Sequence, residues 1–294
     1  MPARMVPGRN SLRLSTPRSS VRKILLCLVA TTLLGAVLLF LVSVVRTRVE
    51  ANRLVAGGVE ALNRSDYPRA VTFFQEALRL HPGVRDAQLN LAIAHARQYV
   101  PGGDSPKNLS LARQARQEFE RVIEQDPGNR TAMESIGSLY YRQGKYDEAR
   151  HWYEKLAAIN PDSAEAYAML AAIAWRRVYP ALLDARLVLG MKSADPGPLA
   201  SSQSRETLSA AWSSVIDEGF GNASKAIAID PEHVTALRTT ALLHRARADL
   251  ASTRDQYQRE MHGASEWMRK ALEAERATAQ RNATVAQSID RRPQ

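Results

Sequence analysis

Two hydrophobic patterns divide the chain. Residues 24–45, ILLCLVATTLLGAVLLFLVSVV, run for 22 residues without a charge. At about 1.5 Å per residue they reach about 33 Å as a helix, enough to cross a bilayer core. The run is apolar on every face, which does not suit a helix with one face in a soluble core. From residue 51 the pattern changes. Small and large apolar residues recur at spacings of three and four, between charged positions, in short segments separated by turn signals. That period predicts amphipathic helices. Four of these segments end alike: ALRLHP, VIEQDP, LAAINP and AIAIDP. Their prolines, Pro82, Pro127, Pro161 and Pro231, lie 45, 34 and 70 residues apart. One 34-residue unit, once plain and twice enlarged by insertions, accounts for all three spacings.

The unit is clearest in residues 130–163, with Ile136, Gly137, Tyr140, Ala149, Tyr153 and Pro161. Residues 51–84 repeat it at Gly58, Ala70, Phe74, Ala77 and Pro82, and residues 85–129 at Leu91, Ala92, Ala115, Phe119 and Pro127. Weaker copies fill 164–233, with Leu170, Ala171, Ala226 and Pro231, and 234–275, with Ala241, Ala264, Met268 and Ala271. This set resembles the tetratricopeptide repeat, and the phrases AWRRVYP, MKSADPGPL and ARADL resemble uncharacterised bacterial members of that family. The resemblance implies an all-α solenoid of helix hairpins that binds protein partners, here preceded by a single transmembrane helix. The expected organisation is a basic tail over 1–23, a membrane helix over 24–45, a solenoid of about five hairpins over 51–275 and a polar tail over 276–294. Insertions fall near 99–108 and 178–212.

The pattern has a physical logic. Helices that cross closely need small residues at the crossing, here Gly58, Ala92, Gly137 and Ala171 on first helices and Ala70, Ala115 and Ala149 on second ones. Gly144 can end a helix in a left-handed conformation, and Pro161 forbids the next one from continuing. Asp162 and Glu165 read as a cap for the helix that follows. One hairpin cannot bury its apolar face, so hairpins stack.

Charge refines the membrane reading. The net charge is +10, but Arg4, Arg9, Arg13, Arg18, Arg22 and Lys23 stand in the first 23 residues with no acid, leaving +4 for the rest. A basic excess beside an apolar span suits anionic lipid headgroups, and it argues against nucleic acid as a partner. Six positive residues precede the span, against Arg46, Arg48 and Arg53 after it. The positive-inside rule then places the N-terminus in the cytoplasm and the repeats on the extracytoplasmic (periplasmic) side. A cleaved signal peptide and an organelle-targeting segment are the alternatives, although no Ala-x-Ala site follows the run. The single cysteine, Cys27, excludes an intrachain disulfide.

No pattern for catalysis or cofactor binding emerges. The histidines are spread over all five repeats without paired ligand spacing, and His233 and His244 read as surface residues. Gly57-Gly58 and Gly102-Gly103 lack a phosphate-loop context. The expectation is a protein without enzymatic activity, cofactor or metal. Trp152, Trp212 and Trp267 read as packing residues, while Trp175 falls on the concave side. Mapping the first helices onto that side gives Leu89, Ile93, Arg97, Glu134, Tyr141, Arg142, Trp175, Arg176 and Arg238 as partner-binding candidates. Arg97, Arg142 and Arg176 occupy one position in three successive repeats. They either grip an acidic or C-terminal peptide, or complement helix dipoles at the ends of their helices. Some family members clamp the carboxylate of chaperone tails. Here Asn90 matches that clamp, but Val55, Val59, Thr131 and Ser135 do not.

Overall fold

A computed structural model describes residues 18–84, 86–103, 105–192 and 195–290. The acid-free part of the basic tail before residue 18 lies outside them. The described residues form ten α-helices and no strand. In chain order these are α1 (Arg18–Asn63), α2 (Tyr67–Leu80), α3 (Ala87–Gln98), α4 (Pro106–Gln125), α5 (Arg130–Arg142), α6 (Tyr146–Ile159), α7 (Ala164–Val188), α8 (Ser202–Ile229), α9 (Val234–Asp249) and α10 (Arg254–Asp290). They pack as successive antiparallel hairpins, α1 with α2 through to α9 with α10, and each hairpin stacks on the next. This is the all-α solenoid that the repeat pattern predicts.

Helix α1 belongs to both hydrophobic patterns. Over Leu25–Val45 its large apolar side chains stand exposed on all sides. From Ala51 onward one face is covered, and Gly58 lets the ring of Phe74 approach so closely that a Cβ there would lie 2.5 Å from Cε1. The two parts form one unbroken helix of 46 residues. Just past the end of α2, His81 reaches back to α1 beyond the apolar run, where Arg48 Nε donates to its Nε2 at 3.2 Å.

Side chains placed just before most of the helices, though not α3 or α6, satisfy their first amides. Asp66, Ser105, Asn129, Ser163 and Ser201 each accept from the backbone N–H three residues on, and His233 does so through Nδ1 at 3.4 Å. The cap of α7 is therefore Ser163, not Asp162. Both residue types can cap, and the turn after Pro161 puts Ser163 Oγ 3.2 Å from the Ala166 amide. Gly144 takes the left-handed conformation (φ +73°) after α5.

The two insertions are built differently. The first is a loop folded around Asn108, which is buried. Its Oδ1 accepts from Val100 N at 2.8 Å, and its Nδ2 donates to the carbonyls of Val100 (2.7 Å) and Gly103 (2.8 Å). The second lengthens both helices of a hairpin. α7 passes through Pro180, which costs it one backbone donor, and α8 rises to meet it. The buried Arg186 ties their connection down: it pairs with Asp249 on α9 and donates to the carbonyls of Lys192 (3.2 Å), Asp195 (3.3 Å) and Gly197 (3.3 Å). At the other end of the chain, α10 continues to Asp290, through residues that read in sequence as a polar tail.

Candidate functional site

The first helices of the hairpins, α3, α5, α7 and α9, supply the candidate partner-binding residues, and those residues fall in five places. Ile93, Arg97, Glu134 and Arg142 line a groove of about 620 Å³ across α3 and α5, with Ser135 and Ser138 between them. Trp175 and Arg176 line a second hollow, of about 570 Å³, between α7 and α9. Tyr141, Arg142 and Arg176 also border a third, of about 640 Å³, beside the first insertion loop. Leu89 packs against the core of Phe119 and Ile136. Arg238 stands apart and pairs with Glu275 at 2.9 Å.

The three arginines at one repeat position are not equivalent. Arg142 Nη2 donates to the Tyr99 carbonyl at 2.8 Å and Nη1 to that of Ala96 at 3.4 Å, with the guanidinium 5.4 Å from the Tyr99 ring centroid. It closes the end of the preceding first helix, so much of its hydrogen-bonding capacity is spent within the fold. Arg176 Nε donates to Tyr141 Oη at 3.1 Å and lies 5.0 Å from the Trp175 ring centroid. Arg97 is exposed and makes no ion pair among the described residues. Glu134 is the one acid among the described residues that line the groove. Partial desolvation by the groove wall raises its pKa first, and Glu165 adds to the shift, although the residue as a whole is exposed. On α3, His95 is buried with its Nδ1 unpartnered among the described residues, and burial lowers its pKa.

Two histidines take part in contacts that their sequence neighbours do not foretell. His233 caps α9, and its Nε2 lies 3.1 Å from Glu165 Oε2 on α7, which raises its pKa. His244 Nδ1 lies 2.7 Å from Glu260, and its ring meets Phe220 edge to face. Both are partly buried and hold neighbouring hairpins together, so neither is a plain surface residue. Trp152, Trp212 and Trp267 pack against core clusters, as their helical spacing predicts.

A family profile described as tetratricopeptide repeat matches residues 55–113 and 103–164. The photosystem I assembly protein Ycf3 of Prochlorococcus marinus is 27% identical over 112 residues, covering 35% of this chain and 58% of that protein. The same protein from another strain of that species is 26% identical over the same lengths. The chain thus spans 58% of the length of these curated relatives. Among solved structures, MamA of Desulfovibrio magneticus RS-1 is 18% identical with a TM-score of 0.49, covering 78% of this chain and 96% of that one. Another MamA crystal structure is 16% identical at a TM-score of 0.47, covering 76% and 96%.

Proposed function

We propose, for a chain that carries tetratricopeptide repeats, that it works as a membrane-anchored scaffold and holds a protein partner in the concave groove of its solenoid. The observation that carries this reading is the groove across α3 and α5, where Ile93 offers apolar surface beside the exposed Arg97, which has no ion-pair partner among the described residues. Such a surface suits an extended, acidic peptide. Residues 24–45 serve as the anchor, because an apolar helix exposed on every face has lipid as its natural solvent. The charge asymmetry of its flanks favours a cytoplasmic N-terminus and a periplasmic solenoid. The protein acts by binding rather than by catalysis.

A second reading places the repeats in the cytoplasm, as a receptor or assembly factor for a membrane complex. The sequence similarity to an assembly protein over 112 residues favours it. Protease treatment separates the two. Cleavage of the solenoid once the outer permeability barrier is opened, with the inner membrane intact, supports the periplasmic reading. Cleavage only after that membrane is broken supports the cytoplasmic one. The binding reading is tested by cross-linking the full-length protein in its membrane: a discrete partner whose recovery falls with Arg97→Glu is expected. A partner recovered equally from both forms refutes the role of the groove.

A further inference from the structure

The second insertion creates a hollow that the ordinary repeat lacks. Helix α5 ends at Arg142, and the matching residue of α7 is Arg176, yet α7 runs twelve residues further to Val188. The added turns bring Tyr179, Leu182 and Leu183 alongside Leu242, Arg245 and Ala246 of α9. The ring of Tyr179 pairs with that of Trp175 at 5.0 Å between centroids, tilted by 31°. Arg186, only 7% exposed, closes one side together with Asp249. The result is a hollow of about 570 Å³ with an aromatic and aliphatic wall, and with exposed Arg176 and Arg245 at its mouth.

The two arginines differ from their neighbours. Arg177 lies 3.8 Å from Asp147, Arg238 pairs with Glu275 at 2.9 Å, and Arg247 with Asp217 at 2.6 Å. Neither Arg176 nor Arg245 has a carboxylate within ion-pair distance among the described residues, and the one acid in the hollow, Asp249, is already paired with Arg186. The site therefore offers an aromatic and aliphatic cavity with two uncompensated cations at its opening. Its volume lies within the range that takes one bulky side chain with its adjoining backbone.

We propose that the pocket between the lengthened α7 and α9 binds a peptide segment in which a bulky apolar side chain stands between carboxylates. The side chain enters against Trp175, Tyr179 and Leu242, and the carboxylates meet Arg176 and Arg245. This site rests on the reading of the solenoid as a protein-binding scaffold, but not on its membrane orientation or on the Arg97 groove.

The test uses the full chain in detergent micelles and fluorescein-labelled peptides read by anisotropy. The probe is GEEFEEG, compared with GEEAEEG and GKKFKKG. At least tenfold tighter binding of GEEFEEG than of either comparison peptide is expected. Arg245→Glu and Tyr179→Ala should each weaken it about tenfold. Arg113→Glu, the same charge change on the distant α4 surface, should leave it intact. Equal affinity for GEEFEEG and GEEAEEG, no binding of GEEFEEG, or binding that survives Arg245→Glu overturns the pocket. Binding that survives Arg245→Glu but is lost in Arg97→Glu assigns peptide recognition to the middle groove, which keeps the scaffold reading and rejects this site.

Discussion

Replacing Gly58 by alanine isolates the contact that joins the first hairpin. A Cβ at Gly58 would lie 2.5, 2.7 and 2.9 Å from Cε1, Cζ and Cδ1 of Phe74. That ring has no room to retreat, because it is fully buried among Ala61, Ala70, Leu91 and Ala94. Overpacking of this kind costs about 1–3 kcal/mol. Alanine in a helix interior returns about 1 kcal/mol relative to glycine. Gly58→Ala should therefore lower local stability by up to about 2 kcal/mol. Gly221, inside α8, has nothing within 4 Å of its Cβ position, so Gly221→Ala should raise stability by about 1 kcal/mol. The backbone contribution is common to both changes, and the difference between them measures the packing alone. A repeat array does not unfold as one unit, so a global melting curve is the wrong instrument. Amide hydrogen exchange reads each hairpin separately. Amides of Ala70–Ala77 should exchange several-fold faster in Gly58→Ala, and those of Ala223–Ile229 several-fold slower in Gly221→Ala. Greater protection at Ala70–Ala77 in Gly58→Ala, matching the gain in Gly221→Ala, would refute the close approach of α1 and α2.

Other consequences follow from single side chains. Arg186→Ala strands the Asp249 carboxylate and three carbonyls of the α7–α8 connection, at a cost of about 3 kcal/mol, and should make residues 189–201 readily cleaved in limited proteolysis. Asn108→Ala leaves Val100 N–H and two carbonyls without their partner, costs about 2 kcal/mol, and should raise hydrogen exchange in the first insertion loop without touching α9 or α10. His233 has a pKa raised by its hydrogen bond to Glu165, so its contribution is complete at acidic pH below its unfolded value and is lost as pH rises through the folded one. The stability difference between wild type and Glu165→Gln should shrink from pH 5.5 to pH 8.5. Buried His95, with its pKa lowered, acts in the opposite direction, and comparing two variants that share it removes its effect.

The sequence revealed the architecture because the repeat is written in residues whose roles are local. Gly58, Gly137 and Ala149 mark crossings, Gly144 a helix end, and Pro161 and Pro231 the stops. Each works through sterics that a short window displays. Side chains whose partners lie far along the chain stayed hidden. Arg142 reads as a groove cation, yet it donates to carbonyls more than forty residues earlier. Arg186 sits in a helical stretch with no special neighbours, and only folding brings Asp249 and the loop carbonyls around it. Asp162 and Ser163 are adjacent capping residues, and the backbone turn, which no propensity specifies, selects Ser163. The likeness of Arg97, Arg142 and Arg176 was visible by spacing, whereas their different surroundings depend on the insertion loop and on Tyr141.

Site-specific photo-cross-linking shows whether the groove across α3 and α5 holds a partner. A photoreactive residue at Ser138, in the floor of the groove between Arg97 and Arg142, is compared with one at Arg113 on the outer face of α4. A discrete cross-linked partner is expected from Ser138 in the intact membrane, reduced by Arg97→Glu and absent from Arg113. The same products from both positions, or none from Ser138 while Arg113 captures a partner, would contradict it.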